Sequence, residues 1–248
     1  MSKRYSKIAH HARPTAAPIS EASLERIIKQ IAWASSCKPN ILEIGCGKGE
    51  LLLGLIRQTE GRGLGVDISA QALACARSRA NELDVKAQFR ECSASELHIQ
   101  DNSFQIAICV GSSHALGGID SSLRTLARAV EPSGLVLLAD LFWKREPEPR
   151  QLAEMGMSFG DLDPSYIELM GRGSAYNLQP VFCQVSTQEE WDDYEWSLIG
   201  SVDRHLNKNP NDPEAEQLRE HLEFMRSSYL EWRRESMGFV TVLYRKGA

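Results

Sequence analysis

The sequence predicts an α/β fold built on a mostly parallel sheet, and three observations carry that prediction. Short apolar runs alternate with helical patterns from Asn40 to Leu141, as right-handed strand–helix–strand crossovers require. The run Leu135–Leu138 is apolar at every position, which suits a strand covered on both faces. A glycine-rich loop, Gly45-x-Gly47-x-Gly49, lies between a strand pattern and a helix pattern.

The elements follow in order. The chain opens on MSKRYSKIAHHARP, where Lys3, Arg4, Lys7 and Arg13 stand without an acid. No apolar stretch follows, so a secretory signal is not expected. The expectation is a frayed, solvated tail, with a transit peptide as the alternative. Pro14 and Pro18 break up this segment, and Ser20 precedes a helix over Ser23–Ser35, with Leu24, Ile27, Ile28 and Ile31 on one face. Asn40–Ile44 reads as a strand, Glu50–Gln58 as an amphipathic helix closed by Gly61, and Gly63–Val66 as a strand. Ala70–Leu83 is helical, with Leu73, Ala76 and Ala80 on one face. Ala87–Glu91 and Phe104–Val110 are strands. Ile119–Val130 is a helix stopped by Glu131-Pro132-Ser133-Gly134, and Leu135–Leu141 is the fifth strand.

Beyond Trp143 the texture changes. Arg145-Glu146-Pro147-Glu148-Pro149 is a loop, Gln151–Met157 and Pro164–Arg172 are short helices, and Pro180–Ser186 is a strand. Thr187 and Glu190 make a capping box for a helix over Gln188–Leu206. A turn at Asn207–Pro213 leads to a helix over Pro213–Ser236, and Gly238–Arg245 closes the series as a strand. Acids outnumber bases between Gln188 and Glu220, the mark of a solvated helical face.

Bulk composition narrows the class. The 248 residues are 42% hydrophobic and 25% charged, in the ordinary globular range, which sets aside disordered, collagen-like and disulfide-framework chains. The net charge of −5 argues against an overall basic nucleic-acid binder. No window of eighteen uninterrupted apolar residues predicts a membrane helix. The six cysteines, Cys37, Cys46, Cys75, Cys92, Cys109 and Cys183, include no C-x-x-C pair. They read as small buried hydrophobes in a reducing cytoplasm, and the same pattern argues against zinc.

The loop is the informative stretch. Glycines accept positive φ and let a ligand approach the backbone, and the helix N-terminus that follows favours anionic groups. The spacing is not the G-x-G-x-x-G of dinucleotide folds, and no phosphate-cradling G-x-x-x-x-G-K-[ST] occurs. Asp67, about twenty residues on at the end of the second strand, stands where the hydroxyls of an adenosine ribose are read. Lys48, within the loop, is expected to face solvent. His114, in CVGSSHALGG, sits at the carboxyl edge of the sheet, where ligands bind, and is a candidate general base.

With these residues the chain resembles the class I S-adenosylmethionine-dependent methyltransferases. EIGCGKGE, GVDIS, the Asp101-Asn102-Ser103-Phe104 turn and EPSG carry the resemblance, which covers Asn40 to about Trp143 and, weakly, GFVTVLYR. SSHALGG and FWKREPEP look like segments of a poorly characterised bacterial group within that superfamily. The resemblance implies a Rossmann-like, mostly parallel seven-stranded sheet of order 3-2-1-4-5-7-6, the last strand antiparallel, with helical lid insertions. It divides the chain into a tail and cap helix (1–35), a cofactor-binding core (36–145), a lid with one core strand near 178–186 (146–237), and a final core strand (238–248).

The resemblance also implies S-adenosylmethionine as cofactor. Glu43 and the loop of Gly45, Cys46, Gly47 and Gly49 would hold its methionine end, Asp67 the ribose, and Ile68 the adenine. The family's usual adenine-facing Asp is absent after the third strand. Cys92-Ser93-Ala94 stands there instead, with Ser93 as the replacement. Val110 and Gly111 would line the sulfonium region. Phe142 and Trp143 would wall the substrate cavity, with aromatic faces toward the sulfonium, and Glu146 would gate it. The implied reaction is in-line methyl transfer to a small-molecule acceptor, in a cytoplasmic monomer or homodimer. The alternatives are methylation of RNA or protein, or non-catalytic cofactor binding. The missing basic stripe and the missing D/N/S-P-P-aromatic motif weaken the macromolecular versions.

Overall fold

The computed structural model describes residues 3–11, 13–35 and 38–248. Its strands are β1 (Asn40–Ile44), β2 (Arg62–Asp67), β3 (Ala87–Glu91), β4 (Phe104–Val110), β5 (Val130–Trp143), β6 (Leu178–Val185) and β7 (Met237–Lys246). They form one sheet in the order β3-β2-β1-β4-β5-β7-β6. Every pair from β3 across to β5 is parallel, and β7 runs antiparallel to both of its neighbours. This is the sheet that the resemblance implied.

Alternation along the strands builds two cores. Ile41 of β1 joins Ile106, Leu135 and Leu137 on one face, against Ile27 and Ile31 of α2 (Glu21–Ala34) and Leu52 and Leu55 of α3 (Glu50–Thr59). Leu42 joins Ala107, Val136 and Leu138 on the other, against Leu123 and Leu126 of α5 (Ile119–Ala129). Both sides of each central strand are therefore apolar. On the outer strands, α4 (Ala70–Glu82) turns Leu73, Ala76 and Ala80 inward. Cys75 lies on its outer side and is exposed, contrary to the expectation of buried thiols. Cys46 and Cys109 are buried, Cys92 and Cys183 half-buried, and Cys37 lies outside the described residues.

A third cluster stands apart from the sheet. Tyr5 and Ala9 of α1 (Lys3–Ala9) pack with Leu198 and Val202 of α8 (Gln188–Lys208) and with Leu218 and Leu222 of α9 (Ala215–Ser228). The solvated tail expected from the basic N-terminus is thus replaced by a docked helix, with Tyr5 only 1% exposed. Tyr5, Ile8 and Ala9 recur at helical spacing, and α8 and α9 supply the apolar surface that so short a helix needs. Arg4 pairs with Asp212 and Glu214.

Two further expectations change. The acidic stretch is a solvated face except at two positions, because Glu190 accepts hydrogen bonds from the Ser20 N–H at 2.9 Å and the Ser20 hydroxyl at 2.7 Å, and Glu195 is buried. EPSG does not precede β5 but bulges within it. Val130 pairs with Phe104 and Leu135 with Ile106, and Ser133 takes a φ of 64° between them. The remaining short helices, α6 (Pro149–Met155) and α7 (Tyr166–Gly171), connect β5 to β6.

Candidate functional site

The loop after β1 is folded back on β2. The Gly45 and Cys46 N–H groups both donate to the Val66 carbonyl, at 2.8 and 3.0 Å. Gly45 has a φ of 72°, and a Cβ there would stand 2.3 Å from Ser112 Oγ. At Gly47, φ is 51° and nothing lies within 4 Å of the Cβ position, so the loop is open on that side. Asp67 ties the two loops together. Its carboxylate accepts from Gly47 N–H and from Ser69 N–H, both at 2.8 Å. Glu43 is buried beneath them and accepts from Leu52 N–H at 3.1 Å. Burial pushes its pKa up to about 8. The Leu52 N–H opposes that rise, and the charges of Asp67 and Glu50 add to it.

These groups line a cavity of about 200 Å³. It gathers Glu43, Gly45, Cys46, Gly47, Asp67, Val110 and Gly111 of the sequence-derived set. Four others do not reach its wall. Gly49 is the tight packing point of α3 on the sheet, 3.2 Å from Phe89 at its Cβ position. Ser93 caps a turn at Ala94–Glu96, and Ala94 is buried in the core. Ile68 projects outward just past Asp67, 71% exposed.

The far wall comes from the N-terminal segment, which the sequence assigns to the tail and cap. Residues 13–17 line this cavity, and Lys48 fastens them. Its ammonium donates to the His11 carbonyl at 2.6 Å and the Arg13 carbonyl at 2.7 Å, so it does not simply face solvent. On the other side Arg13 donates to Ser197 Oγ at 2.9 Å, and His10 hydrogen-bonds Tyr194 at 2.9 Å. The N-terminal segment is a strap between the glycine loop and α8.

A second cavity of about 820 Å³ opens beside the first, and Ala16 and Gly111 line both. His114, on a short turn after β4, borders this larger space, as does Asp140 of β5. Trp191, Tyr194 and Glu195 of α8 and His221 of α9 complete much of its far side. They repeat at helical spacing along α8, but nothing in sequence tells a cavity-facing stripe from a core-facing one. Asp140 is 8% exposed and accepts from Leu141 N–H at 2.7 Å. Burial raises its pKa, opposed by Ser113, the Leu141 N–H and the charge of His114.

Phe142 and Trp143 do not wall this cavity. Phe142 packs on Tyr166 and over Gly238, which has no side chain to obstruct the ring. Trp143 stacks on Phe159 and donates its indole N–H to the Phe159 carbonyl at 3.1 Å. Both point into packed layers because β5 extends past the ligand edge. Glu146 is exposed and lies off the cavity wall.

Comparison with known proteins fits this geometry. The family described as a methyltransferase domain matches residues 41–134, the segment from β1 through the EPSG bulge. A SAM-dependent methyltransferase from Geobacter sulfurreducens, solved in complex with S-adenosyl-L-homocysteine, superposes with a TM-score of 0.89. The two are 26% identical, and the match covers 98% of each chain. The chain is an S-adenosylmethionine-dependent methyltransferase, with its methyltransferase domain at residues 41–134. A second methyltransferase, from Thiobacillus denitrificans and also in complex with S-adenosyl-L-homocysteine, shares the fold at a TM-score of 0.87 and 24% identity over 98% of each chain. The uncharacterized protein YjhP of Escherichia coli (strain K12) is 29% identical to this methyltransferase over 202 residues, 80% of this chain and 81% of that one. The family uses S-adenosylmethionine as its cofactor. Among the described residues no helix is long and apolar enough to cross a membrane.

Proposed function

We propose that this methyltransferase acts on a small organic acceptor held in the larger cavity, with the cofactor in the smaller one. The observation that carries the reading is the junction at Ala16 and Gly111, where a donor space beside the glycine loop meets an acceptor space under α8 and α9. The residues present suit the cofactor. The loop is open at Gly47, a carboxylate ends β2, and an apolar side chain stands outward next to it. When bound, S-adenosylmethionine supplies a methyl carbon already activated on a sulfonium.

The chain then has to bind, align and exclude water. In this reading Glu43 and the backbone of the glycine loop hold the amino-acid end, and Asp67 takes the ribose hydroxyls. Ile68 covers the adenine, with Ser93 near its edge. Val110 and Gly111 flank the reacting centre. His114 borders the acceptor cavity and is the candidate to accept a proton there. Residues 146–237 supply most of the acceptor side and act as the selective lid. A cavity of about 820 Å³ has the size of a small-molecule site, which favours a small acceptor. The free thiols at Cys46, Cys75, Cys92, Cys109 and Cys183 suit a reducing cytoplasm.

Titration calorimetry with S-adenosylhomocysteine tests the reading. Wild type is expected to bind, and Asp67→Asn to bind about 10–100-fold more weakly, the worth of a hydrogen bond to a charged group. A wild type that binds neither S-adenosylhomocysteine nor S-adenosylmethionine refutes it.

A further inference from the structure

The wall of the larger cavity carries hydrogen-bonding capacity that the protein leaves unspent. Among the described residues, three buried side-chain atoms without a hydrogen-bond partner belong to residues on this wall: Asp140 Oδ2, Trp191 Nε1 and His221 Nε2. Native interiors rarely leave such atoms unpaired, and a binding site is one of the few places where the missing partner arrives from outside. Asp140 and Trp191 are each more than nine-tenths buried.

The carboxylates of the wall outnumber its guanidinium groups. Asp140, Glu154, Asp161 and Glu195 line it, against a single guanidinium, Arg233. That cation is already engaged, because Arg233 Nη1 and Nη2 donate to the two oxygens of Glu195 at 2.7 and 3.0 Å. What remains is the buried carboxylate of Asp140, at a defined place, with the imidazole of His114 as the cationic group acting on it. Asp140 directly follows Ala139, whose carbonyl accepts from the N–H of Gly111, the residue that lines both cavities, at 2.7 Å.

Resting on the acceptor reading above, we infer that the acceptor is an amine, bound as an ammonium by Asp140 at the junction of the two cavities. A carboxylate or phosphate acceptor would meet like charge there, and a neutral alcohol would leave Asp140 buried without a cation in direct contact. The rest of the wall describes the rest of the molecule. Trp191, Phe224 and Phe239 present aromatic surface to an apolar body and to a cation. The indole N–H of Trp191 can only donate, so the acceptor also carries an oxygen or similar accepting atom. In the reaction the ammonium gives one proton to the Asp140 carboxylate. The nitrogen lone pair then forms the N–C bond as the S–C bond breaks. The bonding pair stays on sulfur, so that a sulfonium and an amine become a thioether and an N-methylammonium.

The test compares charge at constant shape. 2-Phenylethylamine, tyramine and tryptamine are each titrated against the isosteric alcohol, using the full chain saturated with S-adenosylhomocysteine. At least one amine is expected to bind about tenfold or more tightly than its alcohol, and Asp140→Asn is expected to erase the difference while S-adenosylhomocysteine still binds. Alcohols that bind as well as the amines overturn the inference in favour of an oxygen nucleophile. So does a series in which no amine binds, or a preference that survives Asp140→Asn. If that variant does not fold, the wild-type comparison decides alone. Failure of S-adenosylhomocysteine to bind the wild type is a separate result, and it strikes the underlying reading instead.

Discussion

Glu43 shows how far a single residue's chemistry depends on where β1 delivers it. A carboxyl that loses its proton near 4.5 in water is held protonated to about 8 in the fold. The folded state therefore binds more protons than the unfolded chain between those values, and stability falls as pH rises through that window. Below it both states are protonated and Glu43 contributes no pH dependence; above it the full penalty is present. Glu43→Gln is expected to melt together with wild type near pH 4 and roughly 10 °C higher near pH 8, as read by thermal unfolding. The same variant is expected to lose affinity for S-adenosylhomocysteine. Glu43, Gly45 and Asp67 were legible in the sequence because local spacing and strand context fix their positions. Lys48 was not, since its partners are carbonyls more than thirty residues earlier. Phe142 and Trp143 were misplaced for another reason. An aromatic residue at a strand end looks the same whether a ligand or a neighbouring layer covers it.

Among the elements, α8 combines the most roles. Its capping box was readable from Thr187 and Glu190, and the structure confirms both halves of it. Glu190 also accepts from the residue that caps α2, so one carboxylate starts one helix and anchors another. Glu195 was not readable as a buried group. A glutamate on a helix reads as solvated until its partner, 38 positions away, is known. Both side chains of the Glu195–Arg233 pair are only 4% exposed. Glu195→Ala strands the guanidinium inside the protein and is expected to cost about 3–5 kcal/mol in denaturant unfolding. Replacing both partners by apolar residues of similar volume is expected to cost much less. If the two variants prove equally unstable, the pair contributes volume rather than charge compensation.

For the whole molecule, the parallel sheet followed from strand–helix alternation and its strand order from the family resemblance, whereas the third layer followed from neither. Local pattern cannot reveal that α1 docks on α8 and α9, because each of those helices alone is an ordinary amphipathic segment. The strap that results couples the N-terminus to the glycine loop through one ammonium. Lys48→Met is expected to leave the melting temperature nearly unchanged while residues 10–19 are cleaved about tenfold faster by a broad-specificity protease, since local opening there no longer breaks charged hydrogen bonds. Unchanged cleavage would mean that Arg13 and His10 hold the strap unaided. The position of β7 has a consequence for biosynthesis. It is the last strand along the sequence, yet it lies between β5 and β6. Until residues 237–246 have left the ribosome, β5 keeps an open apolar edge and β6 has no neighbour to join. Translation therefore passes through a stage with five strands assembled and one adrift, the kind of edge on which nascent chains stick to one another. Yield in a cell should depend on how quickly those ten residues follow β6.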